Sequence, residues 1–246
     1  MKKALFAFAV NLLFVSLFFC SNLFCTEFNI SAGAGGNFGG FLTRYKANDK
    51  TGEGKMIQNL EQINYGGHVF IDAFYGELTI IFQNGSGSYN EIMSINGVLA
   101  PRNGDSWETM LGFCLLGKYP FTHSKKLSYF PLLGIEYQFA LSQKRRPDGG
   151  LIYDRTNGIQ ETDKNGNALD ISSWNSFWIN LGAGMDYNFT RTSFMRVELL
   201  YGFRLMTSYE RDGLAQTKEI MEKKNLNLGG LTSGPSLRIG LGYKFI

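Results

Sequence analysis

Apolar residues alternate with small or polar ones along much of the chain, and the last stretch shows it most cleanly. From Pro235 onward, Leu237, Ile239, Leu241, Tyr243 and Phe245 alternate with Ser236, Arg238, Gly240, Gly242 and Lys244. A period of two belongs to a β-strand with two unlike faces. Eight segments carry this period. The first spans residues 27–45, with Phe28, Ile30, Ala32 and Ala34 on one face and a run of glycines. The second, 66–74, sets Val69, Ile71 and Ala73 against His68, Phe70, Asp72 and Phe74. The third is carried by Leu78, Ile80 and Phe82, the fourth by 107–119 and the fifth by 127–141. The sixth covers 173–189, and the seventh is built on Met195, Val197, Leu199, Tyr201, Phe203 and Leu205. Pro131 in the fifth predicts a strand end or a bulge, because proline brings no N–H to a ladder.

The connections alternate as well. The first, third, fifth and seventh are polar, rich in Gly, Ser and Asn, and about 20 to 30 residues long; those between are about 3 to 7. Polar clusters of this kind read as loops. In most segments one row of side chains is apolar and aromatic at its ends, and the other is small or charged. Together with short turns on one side and long loops on the other, that is the signature of a membrane-spanning barrel. The expected fold is all-β: an eight-stranded antiparallel up-and-down transmembrane β-barrel with four long surface loops. A soluble eight-stranded carrier with one internal ligand is the competing fold. It would expose the Tyr201/Phe203 and Tyr243/Phe245 rows to water, a larger apolar patch than soluble monomers show.

The ends and the composition fit. Met1-Lys2-Lys3 followed by an apolar run to Phe19 reads as a secretory signal peptide. Residues 1–25 are expected as the leader and 26–246 as the barrel, with cleavage after Ser21 or lipidation of Cys20 or Cys25 as alternatives. No later stretch approaches the roughly 20 apolar residues of a membrane helix. The net charge of +3 drops to near neutral when Lys2 and Lys3 leave, so no basic excess points to nucleic acid. Cys114 is then the one remaining cysteine and falls at an inward position, as a buried thiol.

Strand pattern, connection pattern and leader together resemble the small eight-stranded bacterial outer-membrane proteins of the OmpA-transmembrane, OmpX and OmpW-like families. A terminal strand ending on Phe245, with Ile246 behind it, also resembles the assembly signal of such barrels. The resemblance implies a bacterial outer-membrane location with periplasmic termini. It implies contact with outer-membrane lipid and recognition of the C-terminal strand by barrel-assembly machinery.

The inward row carries the candidate chemistry. Asp72, Glu136, Arg196, Glu198, Arg204 and Arg238 form a charge cluster on the small-residue face, joined there by Glu77, Lys118, Asp186 and Lys244. Eight strands enclose a space that side chains can just fill. Opposite charges in it pair, because an unpaired charge out of water costs several kcal/mol. Two readings follow: a salt-bridged plug in a structural or interaction barrel, and a narrow charge-lined channel for ions or small, including hydrophobic, solutes. A third and more distant one is a lipid-modifying enzyme using His68, placed near the outer end of its strand, with a nearby serine such as Ser88. No nucleotide-binding, metalloprotease or serine-hydrolase motif is present, so neither an enzyme nor a cofactor is expected. No cluster at metal-ligand spacing calls for a metal. In the third long loop, Lys144, Arg145 and Arg146 form a basic patch. It is a solvated run or a contact for acidic glycolipid, and the loops are where a host or environmental ligand would be met.

Overall fold

The structure is a computed structural model and describes residues 30–48, 54–73, 75–95, 98–119, 121–124, 126–147, 153–154, 171–205 and 227–245. The strands are β1 (Ile30–Asn48), β2 (Gly54–Ala73), β3 (Gly76–Ile95), β4 (Val98–Lys118), β5 (Phe121–Ser124), β6 (Leu127–Pro147), β7 (Tyr153–Asp154), β8 (Ser176–Asn188), β9 (Ser193–Leu205) and β10 (Asn227–Phe245). Eight of them form one wall in the order β4-β3-β2-β1-β10-β9-β8-β6, and β4 pairs with β6 to close it. Every pairing is antiparallel between neighbours in the chain, except the seam where β1 meets β10 with Ile30 opposite Phe245. Closure leaves no sheet edge, the only way strands can satisfy their backbone groups in lipid. Short β5 and β7 fold back on the two ends of β6.

Side-chain parity sorts the wall into two faces. Outside, Leu133, Leu199 and Leu241 are 64%, 61% and 63% exposed, and Val69, Ile71 and Leu78 are exposed as well. A water-soluble barrel would not leave such a belt open; a lipid-facing one requires it. On β9 the outward apolar row runs from Met195 to Leu205. Ten residue steps cover roughly 33 Å, or about 25 Å along the axis once the strand tilts, the height of an outer-membrane apolar band. Aromatic pairs rim one end of it: Tyr75 stacks on Tyr119 at 5.6 Å, Tyr119 meets Phe121 at 5.1 Å, and Tyr243 meets Phe245 at 5.6 Å.

The strands are longer than the apolar alternation alone predicts. The polar stretch 46–64 and the segment 84–106, expected as loops, are mostly strand: β2 begins at Gly54, and β3 and β4 run to Ile95 and from Val98. Above the band an outward side chain meets water, so alternation fades while the backbone ladder continues. On β2 the outward row is apolar up to Ile63 and then turns to Glu61 and Asn59. A wall of paired strands therefore stands above the band in place of two of the four long loops. Pro131 lies inside β6, neither at an end nor at a bulge. It pairs with Ala183 on β8, while on its other side the partner changes from β4, which ends opposite Leu132, to β5, which begins opposite Tyr129. The missing N–H falls where the ladder is already interrupted. The leader 1–25 with Cys20 and Cys25, the side chains of Arg145 and Arg146, and Ile246 lie outside the described residues.

Candidate functional site

The lumen is filled from its short-turn end upward. β9 and β8 leave the Thr190–Thr192 turn with Arg196 and Asp186 opposite each other, both inward. β2 and β3 leave theirs with Asp72 opposite Glu77, also inward. These hairpins face each other across the barrel, and one guanidinium joins them. Arg196 donates from Nε and Nη2 to Asp186 at 2.7 and 2.8 Å, from Nη1 and Nη2 to Asp72 at 3.0 and 2.7 Å, and from Nη1 to Glu77 at 2.7 Å. Lys118 Nζ lies 2.7 Å from Asp72, Ser31 Oγ donates to Asp72 at 2.8 Å, and Thr79 Oγ1 donates to Glu77 at 2.6 Å. Three rings enclose the knot: the guanidinium carbon of Arg196 lies 4.5, 5.1 and 5.3 Å from the centroids of Phe70, Phe194 and Phe130. Cation–π attraction is strongest at such desolvated sites. Lys244 caps the arrangement, donating to Asn188 at 2.7 Å beside Phe194.

These rings fit because glycines make room for them. A Cβ added at Gly33 would meet the ring of Phe70, one at Gly184 the ring of Phe130, and one at Gly242 the ring of Phe194. At these three positions the inward glycine is a socket for a lumen aromatic, so it leaves no open space there.

A second pair lies further up. Arg238 Nη2 is 3.2 Å from Glu136, which also accepts from Asn180 at 3.0 Å and Gln138 at 2.6 Å. Glu198 lies between the two arginines, 3.8 Å from Arg196 and 3.9 Å from Arg238. Cys114 is fully buried beside Asn180, in an apolar layer with Ile81, Leu116, Phe130, Leu132 and Leu200. Above it is a polar cavity of ≈ 50 Å³ lined by Asn37, Gln83, Glu136, Asn180, Trp178 and Arg238 among others. That is room for roughly three to five waters.

The mouth is filled too. Arg204 lies 4.8 Å from the Phe41 ring and 5.7 Å from that of Trp178, and donates to Thr43 at 3.4 Å. Glu108 accepts from Gln62 at 3.0 Å. The 3₁₀ turn Ile171–Trp174 packs Trp174 against Met110 and Ala140.

Of the predicted cluster, Asp72 and Arg196 meet directly, Glu136 meets Arg238, Glu198 bridges the two groups, and Arg204 stands apart at the mouth. Sequence reading missed the ring cage, although strand parity already places Phe130 and Phe194 inward. It also missed Glu108 with Gln62, because both fall next to or inside a presumed loop. His68 and Ser88 are not brought together. His68 pairs with Ile81 near the middle of the wall and stacks on Phe70, whereas Ser88 pairs with Glu61, seven positions up β2, and is exposed. That is roughly 23 Å of strand. The expected position of His68 near the outer end fails because β2 continues well beyond it. Lys144 is exposed on β6, paired with Trp107 on β4 and Asp154 on β7. Among the described residues no group of His, Cys, Asp and Glu is arranged to hold a metal ion.

No protein-family model matches the chain, and no curated protein matches it. Similar solved structures include the outer membrane protease OmpT from Escherichia coli, at TM-score 0.43 and 11% identity over 89% of this chain and 99% of that one. Neisserial surface protein A matches at 0.38 and 11%, covering 87% and 99%. Ail, the attachment invasion locus protein of Yersinia pestis, matches at 0.33 and 10%, covering 89% and 100%. The fold assignment rests on the chain's own closed ladder and lipid-type belt: this is an eight-stranded barrel of the outer-membrane type.

Proposed function

We propose that the protein is an integral barrel of a bacterial outer membrane, sealed along its axis, that works as a surface-exposed interaction or structural element. The supporting observation is the Arg196 knot. It ties β2, β3, β8 and β9 together across the short-turn end, with Arg196 2% and Glu77 1% exposed. A lumen crossed by five charge-assisted hydrogen bonds, with three rings packed at the same level, supports a closed axis. The short turns and the paired ends Ile30 and Phe245 share one rim, which this reading places in the periplasm. The strands that continue above the belt then face the outside and carry the contacts with host or environmental ligands. Phe245, exposed at the end of the closing strand, is the handle for the assembly machinery.

Planar-bilayer recording of the refolded protein, with insertion checked by heat-dependent gel mobility, tests this. The expected result is an inserted, heat-modifiable barrel with no discrete openings. Reproducible unitary conductance would overturn the sealed lumen and establish a narrow channel.

A further inference from the structure

One break in the wall falls between two strands that both run on past it without a change of register. Along the β1–β10 seam the register is constant, yet the pairs Gly40 with Pro235 and Phe41 with Gly234 are missing from the ladder between Gly39/Ser236 and Leu42/Ser233. Pro235 has no N–H to offer the strand facing it. The neighbouring ladders, β1 with β2 and β10 with β9, are unbroken at the same residues. The gap therefore belongs to this seam, and it lies at the upper edge of the apolar belt, opposite Ile63 and Gln62 on β2 and between exposed Phe38 and Leu42 on β1.

Two hollows meet there. Inside is the polar cavity at Arg238 and Glu136; outside is a groove of ≈ 490 Å³ on the wall. Gly40, Phe41, Gly234 and Pro235 line both. The groove volume lies within the ~300–1,000 Å³ range of small-molecule sites. Its sides are apolar at Leu42, Ile63 and Pro235. Its rim is polar at Glu61, Ser86, Ser88 and Ser233, where Tyr201 Oη lies 3.0 Å from Ser233 Oγ. The seam is shut in this structure, since a Cβ at Gly234 would meet the Gly40 carbonyl oxygen.

We propose that this seam is a lateral passage between the lipid phase and the lumen cavity, for an amphiphile with one narrow apolar chain and a small polar head. The chain lies in the outer groove, and the head reaches Arg238, Glu136 and Asn37. Parting the seam here breaks fewer backbone hydrogen bonds than anywhere else along it, and Gly40 and Gly234 present no side chains to move. The passage rests on the barrel standing in a bilayer, but not on what its outer strands bind.

Cys114 is a native reporter, because its neighbours Asn180 and Ile81 line the cavity. In vesicle-embedded protein, alkylation of Cys114 by N-hexylmaleimide and by a sulfonated, lipid-insoluble maleimide would be followed by peptide mass spectrometry. The expected result is at least tenfold faster modification by the lipid-soluble reagent. Pro235→Thr, which restores the donor, slows it about tenfold, and so does a disulfide staple between Leu42→Cys and Ser233→Cys, which face each other beside the gap. Thr190→Lys, in the exposed turn, leaves the rate unchanged. The proposal is overturned if the lipid-soluble reagent fails to reach Cys114 or if both closing variants react at the original rate. It is also overturned if the sulfonated reagent is equally fast, because access is then from water along the axis. A chain that never inserts refutes the membrane reading itself; an inserted barrel with unchanged rates refutes the passage alone.

Discussion

Replacing Arg196 by methionine tests the energetics of the lumen most directly. Methionine keeps much of the stem that packs among Phe70, Phe130 and Phe194 but removes all five charge-assisted hydrogen bonds. Asp72 keeps Lys118 at 2.7 Å. Glu77 retains the Thr79 hydroxyl and Asp186 loses its guanidinium, so two carboxylates are left in the lumen without their main cation. Removing one partner from a buried ion pair costs about 3–5 kcal/mol, because the remaining charge has no compensation. The site is almost fully buried, so solvent screening does not reduce that figure. Urea unfolding from vesicles, followed by fluorescence of Trp107, Trp174 and Trp178, reads the loss. At a typical slope near 2 kcal/mol per molar, the midpoint falls by about 2 M. The same logic fixes a companion variant. Arg196→Met combined with Glu77→Gln and Asp186→Asn removes the stranded charges and leaves the Asp72–Lys118 pair intact. It recovers most of the lost stability, since buried ion networks exchange for neutral groups at little cost. A loss below about 1 kcal/mol in the single variant, or no recovery in the triple one, would refute the claim that this knot is a paired and desolvated network.

Two further expectations use the same unfolding assay. Gly184→Val drives a side chain into the ring of Phe130, and overpacking costs about 1–3 kcal/mol. Gly117→Val, facing outward with its nearest neighbour at 3.5 Å, is the tolerated control. Leu199→Lys sets a charge on the lipid face of the belt and costs about 2–4 kcal/mol near the bilayer midplane, whereas Thr190→Lys in the exposed turn leaves the midpoint in place. Equal effects at positions 199 and 190 would show that the belt does not face lipid.

How far the sequence reveals this molecule depends on what surrounds each strand. Within the belt, lipid on one side and a crowded lumen on the other enforce a two-residue period. That period alone gives the correct face for Val69, Phe113, Ile135, Leu199 and Ile239, and it closes the barrel in the observed order. Above the belt the constraint is gone. Residues such as Gln62, Gly85, Ser86 and Gly87 are held by ladder bonds that any residue can make, so β2, β3 and β4 continue through what composition marks as loop. Pro131 and Pro235 show the same limit from the other side. A proline is read as a strand breaker, but a closed wall accommodates it where a partner strand ends or where two strands meet without a bond.

The glycine row is the harder case, because its meaning lies in a side chain from another strand. Gly184 and Gly242 alone suggest a roomy, hydrated interior, and the charges beside them suggest either a salt-bridged plug or a pore. Phe70, Phe130 and Phe194 alone suggest ordinary core. Only the register joins them: Phe70 faces Gly33 from the adjacent strand, Phe130 faces Gly184, and Phe194 faces Gly242. Each pair places a ring inside the wall at the level of Arg196, so a feature that looks like empty space is where the cation is enclosed. The carboxylates follow the same rule. Asp72 and Glu77, or Asp186 and Arg196, are read as lumen charges that must pair, with the partners unassigned until two hairpins are set opposite each other. The three-carboxylate shell around one guanidinium is a product of barrel closure, and that is why the knot, rather than any motif, carries the functional reading.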